Sequence, residues 1–181
     1  NKLDQKVVFS GGELDNWSLN IDHNKDLVPG SIRNDTNLLT GCITFKNVRV
    51  NRLEININNA FCEDGVNFIN SNGQIKSINS KNSLYDAVDL DFSNLLINKL
   101  DISYSDNDCV DLSYGNYIIE ELKVNYCGDK GLSIGEKSTV EIGNATISNS
   151  NIGVAVKDSS VALIDELNSF NNSNCLSIYQ K

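Results

Sequence analysis

The sequence contains no methionine, and it has only one proline, one histidine and one tryptophan. It also lacks any run of about 18 apolar residues, the length that a membrane-spanning helix needs, and no signal peptide is recognisable. These absences predict a protein without membrane insertion. Because the chain of 181 residues begins at Asn1 rather than at methionine, we expect a single domain, residues 1–181, from a longer protein with other domains.

Positive charge is also scarce. Lysine and arginine together number 15 against 24 aspartates and glutamates, which gives a net charge of −9. Nucleic acid and anionic membranes both require clustered positive charge, so neither is expected as the main partner. A neutral sugar or a cation is compatible with this charge, whereas an anionic ligand would need a local basic site.

Cysteine is present in an odd number and without the paired spacing of a zinc site. The five cysteines are Cys42, Cys62, Cys109, Cys127 and Cys175. This pattern favours small, buried, apolar thiols that form no disulfides.

The dominant pattern is a repeat of 22 residues. A small residue recurs at Gly65, Ala87, Cys109, Gly131, Gly153 and Cys175. Apolar residues follow one and three positions later in every copy, and this alternation is typical of a strand. Turn-forming residues separate the strands, with no helical pattern between them. The repeat therefore predicts an all-β fold, the right-handed parallel β-helix, a single solenoid with about 22 residues per coil.

Residues 22–40 break the period, and we interpret them as an inserted loop that leaves the side of the solenoid. They contain His23, Pro29 and Arg33. Loops of this length are often functional, and a plain surface excursion fits equally well.

Two similar acidic stretches, residues 85–91 and 107–112, fall on successive coils. Neighbouring strands lie about 4.8 Å apart, so Asp86 should lie over Asp108. In the same way the outward side chain of Asp89 should lie over that of Asp111. Opposed like charges destabilise a sheet, but they also raise the pKa of one carboxyl group beside another that stays ionised.

Glycosidases use such carboxyl pairs. We therefore predict Asp86, Asp89, Asp108 and Asp111 as candidate catalytic residues. The alternative is a solvated acidic face whose side chains spread apart. No cofactor is required by the pattern, but crowded carboxylates suit Ca²⁺, for which Asp89, Asp91 and Asp111 are the candidate ligands.

The following coils carry side chains that suit a sugar. The candidate substrate-binding residues are Lys130, Lys157, Glu136 and Tyr179. A lysine can hold a sugar carboxylate or sulfate, and a tyrosine can stack on a sugar ring. Ordinary surface charge near the end of the solenoid is the alternative.

The coil order resembles the polygalacturonase family of the pectate-lyase-like superfamily. The family motifs N-T-D, D-D-C, G-H-G-L-S-I-G and R-I-K correspond here to residues 84–86, 107–109, 129–135 and 155–157. The resemblance implies that Asp86 and Asp108 are catalytic carboxylates and that Lys157 binds sugar. It also shows three departures, because Asn107, Lys130 and Ala155 replace an aspartate, the histidine and the arginine of the family.

The stretches D-A-V-D-L-D-F, G-D-K-G-L-S-I-G-E and G-V-A-V-K-D are also similar to a group of bacterial right-handed β-helix repeat proteins. This resemblance implies the fold, and with it we favour a bacterial cell-surface or secreted location. The functional hypothesis is binding or processing of a polysaccharide or other glycan, with hydrolase, lyase or epimerase chemistry if the protein is an enzyme. The alternative hypothesis is a non-catalytic adhesin or scaffold module of a larger bacterial surface protein.

Overall fold

The computed structural model describes residues 6–23 and 37–180, and these residues form stacked parallel strands without helices. The strands build a β-solenoid of about six turns, with coils about 22 residues apart, which confirms the predicted fold class. The strands are β1 (Val7–Ser10), β2 (Glu13–Asp15), β3 (Ser18–Asp22), β4 (Gly41–Lys46), β5 (Arg49–Ala60), β6 (Asp64–Ile69), β7 (Asn72–Ser83), β8 (Asp86–Asp91), β9 (Asn94–Ser105), β10 (Val110–Ser113), β11 (Asn116–Gly135), β12 (Thr139–Lys157), β13 (Val161–Phe170) and β14 (Asn174–Tyr179).

Each coil contributes to two surfaces. The first, here named the ladder sheet, contains β1, β4, β6, β8, β10, the last residues of β11 and β12, and β14. The second, here named the wrapping sheet, contains β2, β3, β5, β7, β9, the first residues of β11 and β12, and β13. The predicted 22-residue register is the observed one, because Val88 pairs with Val110 and Val110 pairs with Leu132.

Inward side chains form columns along the axis of the solenoid. Val66, Val88 and Val110 are fully buried in one column, and Phe45 and Phe68 stack in another with ring centroids 4.3 Å apart. Burial of each such side chain contributes about 1.5–3 kcal/mol. This continuous core fixes the inward face of every strand and therefore fixes which side chains point outward.

The chain turns at corners whose residues have a left-handed backbone. One series of corners follows the strands of the ladder sheet: Asn47, Asn70, Phe92 and Tyr114. A second series ends the long strands of the wrapping sheet: Asn59, Asn82, Tyr104 and Tyr126. Asparagine tolerates this conformation, whereas an aromatic residue is an uncommon occupant.

The predicted inserted loop falls largely on residues 24–36, which lie outside the described residues. Strand β3 ends at Asp22 before this segment, and β4 begins at Gly41 after it. Within the described part of the chain, no helix has the length and apolar character that crossing a membrane would require.

The expectation of unpaired cysteines is wrong for four of the five. Disulfides join Cys42 to Cys62 and Cys109 to Cys127, and Cys175 is free and exposed. The physical reason is the coil length. Residues 18 or 20 positions apart in a 22-residue coil come back almost to the same place, so each pair meets across one turn of the solenoid.

Candidate functional site

Outward polar side chains gather on the ladder sheet in a surface that we name the acidic face. Its residues are Asp64, Asn67, Asp86, Asp89, Asp91, Asp108, Asp111, Ser113, Lys130 and Ser133. Strand pairing places Asp64 beside Asp86, Asp89 beside Asp111, and Asp91 beside Ser113. The structure thus brings together all four residues predicted as catalytic.

The row that contains Asp86 and Asp108 is also bonded to the backbone. The carboxylate of Asp86 accepts hydrogen bonds from the backbone N–H of Asp108 (2.9 Å) and from the side chain of Asn107 (2.7 Å). The carboxylate of Asp108 accepts a bond from the backbone N–H of Lys130 at 2.9 Å. Each aspartate therefore caps the next coil, which explains why this residue type recurs just before the strand.

Lys130 is an ion-paired member of this row. Its Nζ lies 3.3 Å from Asp108 Oδ1 and also contacts Asp129. Burial by itself would lower the pKa of Lys130, but the hydrogen bond to Asp129 and the charge of Asp108 raise the pKa overall. The ammonium group thus stays charged and is already held by two carboxylates.

The neighbouring outward row runs from Asn67 through Asp89 and Asp111 to Ser133. The side-chain amide of Asn67 donates to Asp89 Oδ2 at 3.1 Å and to Asp91 Oδ2 at 3.5 Å. A single amide thus bridges the carboxyl groups of Asp89 and Asp91.

Burial is the main cause of raised pKa values across the acidic face. It raises the pKa of Asp64 to about 7 and the pKa of Asp86 to about 6, with neighbouring aspartates adding to both shifts. Burial also raises the pKa of Asp89, Asp91 and Asp108. Near neutral pH the acidic face therefore contains protonated and ionised carboxyl groups side by side, as acid–base chemistry requires.

Buried polar atoms without hydrogen-bond partners concentrate on the same surface. Within residues 6–23 and 37–180, six such side-chain atoms occur, and five belong to the outward side of the ladder sheet: Thr44 Oγ1, Asp64 Oδ2, Asn67 Oδ1, Asp111 Oδ1 and Ser133 Oγ. The sixth is His23 Nδ1. Buried polar atoms in native proteins nearly always have partners, so these atoms need a partner from outside the protein, either water or a ligand.

Lys157 lies flat across the end of this surface and is almost completely buried. Its Nζ is 4.0 Å from Asp111 Oδ1, which is an ion pair longer than a hydrogen bond. Gly135 makes this position possible, since a Cβ at that residue would lie 2.6 Å from Lys157 Cε. Sequence analysis expected an outward lysine but had no signal for its burial.

The remaining predicted binding residues differ in their positions. Glu136 joins the acidic face, because Ser113 Oγ donates to its Oε2 at 2.7 Å. Tyr179 pairs with Lys157 on the outer strand β14. It is three strand spacings from Ser113, or about 14 Å, so the structure does not place it among the carboxylates.

The predicted calcium ligands Asp89, Asp91 and Asp111 share the acidic face, but they differ in their partners. Asp89 and Asp91 both accept hydrogen bonds from Asn67, whereas Asp111 faces Lys157. Among the described residues, no group of three or more histidine, cysteine, aspartate or glutamate side chains has an arrangement that could hold a metal ion. The calcium site stays a prediction that this geometry does not support.

Sequence analysis missed two aromatic stacks that border the acidic face. Phe92 and Tyr114 stack with ring centroids 4.8 Å apart, and each directly follows a strand of the face. Tyr104 and Tyr126 stack at 4.9 Å on the opposite edge. All four rings are about half exposed. The signal was available, because both pairs repeat at the 22-residue spacing.

Comparison of the chain with known protein families, curated proteins and solved structures finds no match. The geometry of the acidic face is therefore the basis for a functional interpretation.

Proposed function

We propose that the acidic face binds, and processes, a polysaccharide. The observation that carries this proposal is the joint position of stacked carboxyl groups, unpartnered buried oxygens and exposed aromatic stacks on one surface. Hydroxyl groups of a sugar would give the oxygens their missing partners. The rings of Phe92 and Tyr114 would offer an apolar surface to the carbon face of a pyranose.

The carboxyl groups supply the chemistry for glycosidic cleavage. Asp86 has a raised pKa of about 6 and would act as the general acid. Burial raises the pKa of Asp108, and the charge of Lys130 opposes this rise; Asp108 would act as the second carboxylate. Glycosidases, both retaining and inverting, use one protonated and one ionised carboxyl group in this way.

The same proposal extends to the superfamily, the origin and the location of the protein. A parallel β-helix with this coil order fits the pectate-lyase-like superfamily and a bacterial origin. The two disulfides are typical of an oxidising location such as the cell surface or the secreted fraction.

The test is a glycan-array screen followed by turnover assays on each polymer that binds. Asp108→Asn should leave the fold intact and reduce cleavage by about 100-fold or more, the usual share of an acid–base group. Asp165→Asn, which removes a carboxylate from β13 outside the acidic face, is the matched control. Unchanged cleavage in Asp108→Asn would remove Asp108 from the mechanism.

A non-catalytic scaffold is the second candidate function. It is favoured by the observation that Asp86 and Asp108 cap backbone N–H groups of the next coil, which is a structural task. A blank glycan array with a folded protein, together with an intact biological role after substitution of the aspartates by asparagine, would support the scaffold.

A further inference from the structure

We propose that the acidic face recognises a polysaccharide with free amino groups, that is, a polymer of amino sugars in their ammonium form. This inference rests on the proposed function and specifies its substrate class. It is argued from the charge of the face, from the chemistry of its unpartnered atoms and from the aromatic stack beside it.

Charge is the first argument. The carboxyl groups on or beside the face belong to Asp64, Asp86, Asp89, Asp91, Asp108, Asp111 and Glu136. Among the described residues, Lys130 and Lys157 form ion pairs with carboxylates of the face, so both positive charges are already matched. A sugar carboxylate or sulfate would therefore meet an excess of negative charge, whereas an ammonium group would form charge-assisted hydrogen bonds.

The unpartnered atoms are the second and independent argument. Asn67 and Ser133 are both 0% exposed, and Asn67 Oδ1 and Ser133 Oγ have no hydrogen-bond partner. Asn67 belongs to the centre of the face, because its side-chain N–H group donates to Asp89. The free atom of Asn67 is thus an acceptor. A ligand must bring donors to it, and an ammonium group has three donors and no acceptor.

The aromatic stack is the third argument. Phe92 and Tyr114 follow two successive strands of the face, and their rings stack on each other. Exposed rings beside carboxyl groups suit the apolar carbon face of a sugar, which favours an amino sugar over a basic peptide.

Ammonium binding has a consequence that neutral sugars do not share. The carboxyl groups with raised pKa values must lose their protons to pair with the ligand, so binding at a pH where the amino groups carry their charge should release protons. Besides burial, the charges of Asp108 and Asp111 raise the pKa of Asp86, and those of Asp86, Glu63 and Asp91 raise the pKa of Asp64. Further charged groups at this surface are Asp89, Asp129, Glu136, Lys130 and Lys157.

The experiment is isothermal titration calorimetry of the full chain with tetramers of glucosamine, N-acetylglucosamine and galacturonic acid. We expect the glucosamine tetramer to bind at least tenfold more tightly than the other two, the effect of one charge-assisted hydrogen bond of about 1.5 kcal/mol. Repetition in two buffers that differ in ionisation enthalpy should show proton release. The double variant Asp89→Asn/Asp111→Asn should lose about tenfold in affinity for this tetramer, whereas Asp165→Asn should bind like the unaltered protein.

The other outcomes separate the inference from the function on which it rests. Equal or tighter binding of the N-acetylated or uronic tetramer, lost in the double variant, overturns the amino-sugar inference and leaves polysaccharide binding standing. Binding of poly-lysine alone at the same aspartates overturns the inference in favour of a basic peptide. Failure of all three tetramers to bind a protein that unfolds cooperatively overturns both proposals.

Discussion

Two rows of polar side chains on opposite sides of the solenoid follow the same repeat but differ in their hydrogen bonding. On the wrapping sheet, Asn56 donates to Asn20 at 2.9 Å and Asn79 donates to Asn56 at 2.8 Å. We name these three residues the amide row. It borders a groove of about 580 Å³. On the ladder sheet, Asn67 and Ser133 instead keep buried atoms without partners.

The difference follows from the hydrogen-bonding chemistry of the two side-chain types. An amide has a donor and an acceptor, so a stack of asparagines satisfies itself along the axis. A stack of aspartates cannot do so, because an ionised carboxylate only accepts. The amide row is therefore complete without a ligand, whereas the acidic face needs protons or a ligand.

The two rows should differ most in how they make the free energy of unfolding depend on pH. The pKa of Asp86 rises from 3.8 to about 6 on folding, and that of Asp64 to about 7. Between the unfolded and the folded pKa of each group, the folded protein binds more protons than the unfolded chain. The free energy of unfolding therefore falls as the pH rises through that range. The shift of Asp86 corresponds to about 3 kcal/mol. Urea unfolding at pH 4.5, 6 and 7.5 should show this fall, with a smaller fall in Asp86→Asn.

The amide row has no titrating group, so Asn56→Ala should keep the pH profile of the unaltered protein. A free energy of unfolding that rises from pH 4.5 to 7.5 would show that the carboxyl groups of the acidic face ionise without cost.

A second test of the difference between the two rows is to remove the disulfide bond beside the acidic face. Cys109–Cys127 closes the coil that carries Asp111 across a separation of 18 residues. Its replacement by two alanines should cost about 3 kcal/mol, because the bond restricts the unfolded chain. Thermal and urea unfolding measure the loss, and the matched control is Cys175→Ala, which removes the free thiol. Equal stability of both variants would show that the bond contributes nothing.

Exchange of aspartate and asparagine between the two rows should change the free energy of unfolding in opposite directions. Asp89→Asn removes a buried charge that faces other carboxylates and should stabilise the protein by about 2 kcal/mol at pH 8. Asn56→Asp puts a charge into the amide row and should destabilise the protein by about 1 kcal/mol, since Asn20 Oδ1 loses the donor that Asn56 Nδ2 supplies. Chemical denaturation at pH 8 checks both, and the same sign for both would contradict the comparison.

The smallest effects concern single hydrogen-bonding groups. Ser133→Ala removes a buried hydroxyl without a partner and should be neutral or stabilising by up to about 1 kcal/mol. Asn56→Ala breaks two satisfied bonds and should cost about 1 kcal/mol. Differential scanning calorimetry resolves such changes, and a destabilised Ser133→Ala would show that its hydroxyl has a partner.

Much of this architecture could be predicted from the sequence, because the small residues at a 22-residue spacing set the phase of every coil. From that phase alone, Asp86 is predicted to lie near Asp108, and Asp89 is predicted to lie beside Asp111. The remaining features depend on how deeply each side chain is buried and on contacts between neighbouring strands. The sequence repeat alone does not specify either of these. The burial of Lys157 follows from Gly135 on the neighbouring strand, and the disulfides follow from the return of the chain after one turn.

The left-handed corners have a consequence for how such a surface changes during evolution. A corner residue such as Asn70, Phe92 or Tyr114 keeps the same backbone whichever side chain it carries. Phe92 and Tyr114 project into solvent and contribute little to the core. Point mutations at corners can therefore exchange an amide for an aromatic ring, coil by coil, without repacking the interior. The solenoid separates the residues that specify its shape from those that diversify its recognition.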